Sequence, residues 1–346
     1  MKKEPIPVFF HPAQLRHNPL YEWSFGKKIT HPETSARVSR ILAAIEKSPS
    51  FSMRRPLRMP LNRLTDLHDK DLVSVLKTAR QLPEGKTYYP SVFPRRDQVS
   101  SDPGSLPRAG YYCFDSGTPL TVHSWDAAYW SAASAWSAAK CVTSGEAPAA
   151  YALSRPPGHH AQRGLFGGYC YFNNAGLAAR HFRHRGRVAI VDIDFHHGNG
   201  TQSIFYPDPK VFFASIHGDP RKFYPYFSGY AGETGRGEGR GTNLNVPLPA
   251  EADGQEYLRA LRRKVLPAVR AFRPCALVIS AGFDTFKHDP VGAFDLETQD
   301  FAEIAWELAG LGLPTVIVQE GGYATKWLGL NVSAFLRAFR DKHRLP

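Results

Sequence analysis

Short apolar runs alternate with longer helical patterns along most of the chain. The apolar runs are rich in β-branched residues and occupy residues 149–153, 188–193, 211–216, 276–281 and 314–319. Segments with apolar residues at helical spacing lie among them, at residues 173–184, 255–272 and 297–311. This alternation predicts an α/β fold of three layers, α/β/α, with a mainly parallel central sheet.

The first hundred residues are less regular. Residues 5–11 predict a strand, and residues 15–29 predict a polar and aromatic loop. A helix is predicted to open at His31-Pro-Glu, because the apolar positions that follow have helical spacing. A second helix is predicted over residues 65–79, introduced by Thr65.

Residues 82–112 contain Pro, Gly, Ser and charged residues with no periodicity. A loop this long inside a domain is usually functional or part of an interface. An Ala-rich helix that covers the sheet is predicted directly afterwards, over residues 124–142.

Composition indicates one domain over residues 1–346. The chain has 42% apolar and 12% aromatic residues, enough for a large core, and no repeat or linker divides it. No apolar segment long enough for a signal peptide or a membrane span follows the N-terminal Met-Lys-Lys, which favours a cytoplasmic protein with no membrane partner.

The spacing of the cysteines and the distribution of charge argue against two further classes, the cysteine-rich metal or disulfide proteins and the nucleic-acid-binding proteins. The four cysteines lack the spacing of a metal finger or a disulfide framework, so we expect them to be reduced and packed. A net charge of +12 could indicate a nucleic-acid partner. The arginines are spread among helices and loops and form no basic run beside aromatic residues, so we expect no nucleic acid.

Candidate chemistry begins at the end of the apolar run 188–193, where Asp192, Asp194 and His196 alternate. In a strand these three side chains would share one face. Carboxylate oxygen and imidazole nitrogen suit a divalent metal such as Zn²⁺, and a catalytic zinc site has three protein ligands and one open position. Taken alone, the stretch is equally compatible with aspartates that cap the following turn.

Other polar residues follow neighbouring strands, where ligands bind in parallel sheets. Asp284 could complete a metal site of two Asp and one His, although a single Asp is more often a helix cap. The pair His159-His160 follows Pro-Pro-Gly and could serve as general base and acid. A lone histidine is more often a structural residue, and that interpretation is favoured for His217.

Two kinds of supporting residue are also indicated. Asp192 and Asn199 lie where they could orient the histidines by hydrogen bonds. Tyr323, after two glycines, could donate its hydroxyl to a developing oxyanion, although such a tyrosine is often only packed against its neighbours.

Five motifs now resemble, in order and spacing, the histone deacetylase and acetylpolyamine amidohydrolase superfamily, which has the arginase/deacetylase-type α/β fold. They are His31-Pro-Glu with Arg37, Arg155-Pro-Pro-Gly-His-His-Ala, Gly168-Tyr-Cys-Tyr-Phe-Asn-Asn, Asp192-Ile-Asp-Phe-His-His-Gly-Asn-Gly-Thr-Gln, and Ser280-Ala-Gly-Phe-Asp with Glu320-Gly-Gly-Tyr. The resemblance covers nearly the whole chain.

The resemblance implies one catalytic zinc per chain, held by Asp194, His196 and Asp284. It implies that His159 and His160 transfer protons and that Tyr323 is the oxyanion donor. The family's buried potassium site would fall on Asp192, Asp194, His196, Ser215 and Ile216. Tyr169 and Tyr224 would wall an extended aliphatic chain, and Gly168 would offer its carbonyl to the scissile amide.

Finer motifs resemble the bacterial acetylpolyamine amidohydrolases. They are Asp284-Thr-Phe-Lys-His-Asp-Pro, Gly229-Tyr-Ala-Gly-Glu-Thr-Gly and the loop 82–112, which in that group helps to build a homodimer and to narrow the mouth of the active site. Asn199 and the histidine pair directly after Pro-Pro-Gly resemble the class II and bacterial branch of the superfamily. The charge of the loop 82–112 departs from the pattern. It carries Arg95, Arg96 and Arg108, whereas a mouth for polycations should be acidic.

The sequence therefore predicts a zinc-dependent amidohydrolase that removes acetyl groups from acetylated polyamines or similar small aliphatic amines. An acetyl-lysine deacetylase of the class II type, or a hydrolase of another small amide, is the alternative enzyme. A catalytically silent binding protein is the alternative from another class, and the retained metal ligands with Tyr323 argue against it. Arginase-like chemistry would need further Asp and His ligands that the sequence does not supply.

Overall fold

The centre of the protein is an eight-stranded sheet in which all neighbouring strands are parallel. The computed structural model describes residues 4–94 and 106–344. Across the sheet the strands are, in spatial order, β10 (Asn243–Leu248), β9 (Val211–Gly218), β8 (Val188–Asp192), β11 (Ala276–Ala281), β12 (Thr315–Gln319), β7 (Ala149–Ala152), β1 (Ile6–Phe9) and β4 (Phe51–Arg54). The predicted α/β/α fold with a mainly parallel sheet is confirmed.

Both faces of the sheet are buried, which explains why its strands read as continuous apolar runs. In β8, Ala189 and Val191 belong to one core cluster, whereas Val188 and Ile190 belong to the cluster on the opposite face. Helices cover both faces. One layer contains α1 (Ser35–Ile45), α7 (Gly254–Ala260), α8 (Leu266–Phe272), α9 (Thr298–Ala309) and α10 (Thr325–Lys342). The other contains α2 (Leu61–Thr65), α3 (Lys70–Thr78), α4 (Ser124–Thr143), α5 (Asn174–Phe182) and α6 (Asn199–Phe205).

The predicted loop over residues 15–29 is wrong in its second half. The chain forms an antiparallel hairpin of β2 (Tyr21–Ser24) and β3 (Lys27–Thr30). Its two turn residues, Phe25 and Gly26, have φ angles of 48° and 75°. A two-residue turn with two positive φ angles is a normal hairpin connection, but Phe in its first position hides the usual Asn-Gly signal.

Three predicted helices have different bounds. The first begins at Ser35 and not at His31. The helix predicted over 65–79 is two helices, since Thr65 ends α2 and its hydroxyl donates back to the Asn62 carbonyl. The helix predicted over 255–272 is divided by a π-helical turn at Leu261–Val265.

Besides the hairpin strands, four elements of the main sheet and the helical layers were not predicted: β4, β10, α6 and α10. The two strands lie at the edges of the sheet, and β10 contains Pro247, which an edge strand tolerates because one side forms no ladder bonds. Helix α6 begins in the Gly-Asn-Gly segment after the Asp/His cluster, where the turn signals conceal it.

The loop 82–112 is only partly irregular. Its described portions contain β5 (Thr87–Tyr88), which pairs with β6 (Leu120–Thr121), and a 3₁₀ helix at Leu106–Tyr111. Arg95 and Arg96 lie outside the described residues. All four cysteines are free, and Cys275 is exposed, contrary to the prediction that all four are packed. Within residues 4–94 and 106–344, no helix combines the length and the apolar character needed to cross a membrane.

Candidate active site

The candidate site lies at the carboxyl ends of the central strands. Strand β8 has β9 on one side and β11 on the other, so the chain order reverses beside it. Ligands in open α/β sheets bind at such a switch point. We call the residues that follow these strands the floor of the site: Asp192, Asp194, His196, Asp284, His159 and His160.

Asp194, His196 and Asp284 form a compact group of donor atoms. The Nδ1 atom of His196 lies 3.3 Å from Asp194 Oδ1 and 3.0 Å from Asp284 Oδ2. All three ligand atoms lie within 4.8 Å of one another, and the group is buried. The backbone of Gly321 approaches closely enough that a Cβ there would lie 2.5 Å from Asp284 Oδ2 and 2.6 Å from Asp194 Oδ2.

Electrostatics indicate that this group fits a divalent cation. Burial, and then the neighbouring Asp194 carboxylate, raise the pKa of Asp284 to about 7 against the opposing effect of His196. Two carboxylates thus compete for one imidazole in a buried space. A divalent cation would offset the excess negative charge, and the two-Asp, one-His donor set is one that Zn²⁺ accepts.

A second group of possible donors, His159, Cys170 and Glu320, is less suited to a metal. The Glu320 carboxylate already accepts the Gly158 and His159 backbone N–H groups and the Ser280 hydroxyl. Burial raises the pKa of the Cys170 thiol well above its usual value, which disfavours the thiolate that would bind a metal. This group supports the His159 turn.

The two tandem histidines have different partners. His159 Nδ1 lies 3.0 Å from Asp192 Oδ2, whereas His160 Nδ1 lies 2.6 Å from Asn199 Oδ1. Burial favours neutral His159, but the carboxylates of Asp194 and Asp192 outweigh burial and raise its pKa to about 10. Burial, reinforced by His159 and His196, lowers the pKa of His160 well below its usual value. The carboxylates around His159 thus favour its charged form, whereas the surroundings of His160 favour its neutral form.

Tyr323 lies beside the floor and is 9% exposed. The Arg37 guanidinium lies 4.7 Å from the centre of its ring. Burial raises the pKa of the Tyr323 hydroxyl well above its usual value, and Arg37 only partly opposes this effect. The hydroxyl therefore remains protonated and is available as a donor.

We call Glu22, Asp115, Gly168, Tyr169 and Tyr224 the mouth of the site. The Asp115 carboxylate accepts the Gly168 backbone N–H at 2.5 Å and the Tyr224 hydroxyl at 2.8 Å. Gly168 has a φ angle of 58°, and a Cβ there would lie 2.3 Å from the His160 ring, so only glycine fits. Tyr169 contacts both His31 and Tyr323, and Tyr224 lies edge-on to His160.

The predicted potassium ligands are partly brought together. Asp192 and Ser215 are in register on β8 and β9, and Asp192, Asp194, Ser215 and Ile216 are fully buried. His217 Nδ1 bonds to the Ser215 hydroxyl and its Nε2 to the Gly229 carbonyl, as expected of a structural histidine.

Several residues of the site were not identified from sequence. Glu22 lies in the unpredicted hairpin, and Asp115 follows the aperiodic loop in a turn that appears ordinary. Arg37 and Arg155 were noticed only as parts of motifs. Both bond to the Glu33 carboxylate, and Arg37 also donates to the Gly322 carbonyl at 2.6 Å. The signal available in the sequence was the presence of charged residues inside two motifs, Glu33 with Arg37 in the first and Arg155 in the second.

Known proteins resemble the chain over nearly its whole length. The histone deacetylase domain family matches residues 31–339. Acetylpolyamine amidohydrolase 2 of Pseudomonas aeruginosa is 41% identical to this chain, and the match covers 95% of this chain and 97% of the relative's length. Acetylpolyamine amidohydrolase of Mycoplana ramosa is 38% identical over 90% of this chain and 94% of its own. A crystal structure of acetylpolyamine aminohydrolase from Burkholderia pseudomallei superposes with a TM-score of 0.91, at 39% identity over 96% of this chain and 98% of its own.

Proposed function

The chain belongs to the histone deacetylase family and is an amidohydrolase, and from this we propose that it hydrolyses the acetyl-amide bond of acetylated polyamines or similar small aliphatic amines. The proposal rests on one observation: the floor, with its possible metal ligands and proton carriers, lies directly beside the mouth. A three-ligand metal group, a charged and a neutral histidine and a protonated tyrosine adjoin a mouth that carries two carboxylates. Similarity to named acetylpolyamine amidohydrolases supports the substrate class.

In this proposal, Asp194, His196 and Asp284 hold one zinc ion per chain. When bound there, zinc supplies Lewis-acid polarisation of the acetyl carbonyl. His160, neutral and held by Asn199, takes a proton from the attacking water. His159, charged and held by Asp192, adds positive potential beside the reacting carbon.

Tyr323 donates its hydroxyl to the carbonyl oxygen as negative charge develops there. His160, once protonated, returns its proton to the leaving nitrogen, so that acetate and a free amine are released. The walls formed by Tyr169 and Tyr224 admit a slender aliphatic chain, and the Gly168 carbonyl accepts the N–H of the scissile amide.

Charge at the mouth supports an amine substrate. Burial raises the pKa of Glu22, the nearby Asp115 carboxylate raises it further, and the Tyr169 hydroxyl opposes both effects. Two carboxylates beside an aromatic wall suit a cationic amine at the far end of the acetylated chain.

The test is a panel of acetylputrescine, acetylcadaverine, acetylspermidine and an acetyl-lysine peptide, with an acetylated histone as the folded substrate. We expect the small acetylated diamines to give the highest kcat/KM, because a narrow mouth excludes folded proteins. Equal rates on acetylputrescine and the histone would contradict the narrow mouth. Preference for the peptide would favour the acetyl-lysine alternative, and no turnover with zinc bound would favour a binding protein.

A homodimer and a structural potassium ion also form part of the proposal. Large apolar side chains are exposed on the hairpin that carries Glu22, in the loop 82–112 and three residues after Tyr224, and exposed apolar side chains often mark interfaces. They include Phe25 at 90%, Val92 at 69% and Phe227 at 58% exposure. Phe25→Ser with Phe227→Ser should shift the sedimentation coefficient towards the monomer. Exchange of K⁺ for Na⁺ should lower the melting temperature if Asp192, Asp194, His196, Ser215 and Ile216 hold potassium.

A further inference from the structure

The segment that carries Tyr323 lies between β12 and α10, and its backbone is held from three directions. The Gly321 N–H donates to Asp194 Oδ2 at 2.8 Å, and the Gly322 carbonyl accepts Arg37 Nε at 2.6 Å. Gly322 has a φ angle of 118°, so the chain turns sharply just before the tyrosine. The position of the hydroxyl therefore depends on what fixes the next peptide groups.

Those next groups are held by Asp289. Its Oδ2 atom accepts the Tyr323 N–H at 2.6 Å and the Ala324 N–H at 2.8 Å. Its other oxygen, Oδ1, accepts the Val291 N–H at 3.0 Å, which fixes the carboxylate within its own loop. Asp289 is 8% exposed. Bonds from backbone N–H groups to a buried carboxylate are among the stronger hydrogen bonds in proteins.

Asp289 also joins two functional segments. It lies five residues after Asp284, on the loop between β11 and α9, whereas Tyr323 follows β12. This side chain thus links the loop of a candidate metal ligand to the loop of the candidate oxyanion donor, beside the Phe283 N–H, which donates to the Gly321 carbonyl at 3.1 Å. Displacement by about 1 Å can reduce catalysis by about 10²-fold, so such a link matters for rate.

We propose that Asp289 is a positioning residue whose carboxylate orients Tyr323 towards the acyl carbonyl. The proposal rests on the proposed function of Tyr323 and extends it to a residue that does not touch the substrate. Asparagine in its place has a single acceptor oxygen, so it cannot hold both the Val291 N–H and the pair at Tyr323 and Ala324.

The kinetic test is a double-mutant cycle with acetylputrescine and zinc-loaded enzyme. Asp289→Asn should lower kcat by about 10- to 100-fold with KM within about 2-fold, because positioning acts on the transition state. In the Tyr323→Phe background the same substitution should lower kcat by no more than about 2-fold, since the hydroxyl that it orients is already absent. Equal losses in both backgrounds would overturn the proposal.

A second measurement is independent of turnover and of metal. Amide hydrogen exchange in the metal-free wild type should be slow at Tyr323 and Ala324, and Asp289→Asn should accelerate it at both. Rapid exchange at these amides in the folded wild type would overturn the proposal even if the variant fails to fold. A wild type that exchanges slowly but does not turn over acetylated amines would contradict the proposed function and leave the anchoring by Asp289 intact.

Asp300→Asn is the matched control. The Asp300 carboxylate accepts the Glu297 N–H at 2.7 Å at the start of α9, so it is also a backbone-capping aspartate. We expect Asp300→Asn to lower the melting temperature without changing kcat or exchange at Tyr323. A fall in kcat equal to that of Asp289→Asn would mean that general destabilisation, and not positioning, explains the effect.

Discussion

The floor and the mouth of the site are built in different ways. Floor residues follow β7, β8 and β11 within a few positions, so the sheet itself sets where they lie. Mouth residues come from four separate segments. Side-chain bonds across long stretches of sequence hold them together, as when Asp115 accepts bonds from Gly168, 53 positions away, and from Tyr224, 109 positions away.

This difference indicates that the floor determines the chemistry and the mouth determines substrate selectivity. A floor fixed by the sheet should perform the same chemistry on every substrate, whereas a mouth assembled from loops can change its selectivity. Substitutions in the floor should therefore lower turnover of all substrates. Substitutions in the mouth should separate one substrate from another.

The largest expected effect is that of Asp284→Ala. Removal of one of three ligands leaves too few donors for a catalytic metal, so zinc content and turnover should both fall to background for every substrate. The fold should persist, since the neighbouring strands keep their core contacts. Metal analysis and kcat check the prediction, and full activity in a chelated preparation would contradict the metal assignment.

Asp219→Ala is the control for Asp284→Ala. Asp219 also follows a central strand, β9, but its carboxylate pairs with exposed Arg221. We expect zinc content and kcat to remain at wild-type values. The comparison separates the ligand role from the general effect of removing a carboxylate at this edge of the sheet.

The next largest effect is that of Tyr323→Phe. Loss of one oxyanion donor typically lowers kcat by roughly 10²- to 10³-fold, while KM changes much less because the hydroxyl acts mainly on developing charge. Measurement of kcat and KM, together with the zinc content of the variant, tests this prediction. Tyr129→Phe, which removes a buried hydroxyl bonded to the Met59 carbonyl, is the control and should keep full activity. Near wild-type turnover of the Tyr323→Phe enzyme would remove Tyr323 from the mechanism.

The floor could be predicted from sequence because its signals are local. Asp192, Asp194 and His196 alternate at the end of an apolar run, and the pair His159-His160 follows another after Ser-Arg-Pro-Pro-Gly. Once the strands are recognised, parallel packing brings their carboxyl ends together. The central strands were predicted because burial on both faces produces continuous apolar runs, and most of the helices were predicted because their apolar residues recur at helical spacing.

Two of the five mouth residues, Glu22 and Asp115, could not be predicted from local signals, and the other three were named only through the family resemblance. Glu22 lies in a hairpin whose turn begins with Phe25, a residue that rarely adopts a positive φ angle. Asp115 lies in a turn, and only its contacts with Gly168 and Tyr224 give it a wider role. Contacts between residues so far apart in the sequence produce no periodic pattern from which they could be predicted.

Asp115→Asn should have the third-largest effect. The Oδ2 atom of Asp115 accepts both the Gly168 N–H and the Tyr224 hydroxyl, while its Oδ1 atom accepts the Gly117 N–H and the Thr118 hydroxyl. An amide has a single acceptor oxygen, so asparagine can keep only one of these two pairs of bonds. We expect kcat/KM for acetylputrescine to fall by about 10-fold, through misplacement of the Gly168 carbonyl. Zinc content should not change. An equal loss of zinc would show that the floor and the mouth are not independent.

The smallest effect, and the most selective, is that of Glu22→Gln. Burial raises the pKa of Glu22 to about 7, against a hydrogen bond with Tyr169 that lowers it and with a further increase from Asp115. The carboxyl is therefore protonated in weakly acid solution and ionises as the pH rises through about 7. If the anion binds the distal ammonium of acetylputrescine, KM for this substrate should fall as the pH rises from about 6 to about 8.

N-butylacetamide, which has a similar chain without the ammonium, should show no such fall in KM. Glu22→Gln should abolish the pH dependence for acetylputrescine and raise its KM above pH 7 by about 5-fold, the effect of losing an ion pair worth about 1 kcal/mol. Its kcat should change little, because the floor is untouched. If the Gln variant keeps the wild-type pH dependence, or loses activity equally on both substrates, Glu22 does not recognise the amine and the mouth selects by shape alone.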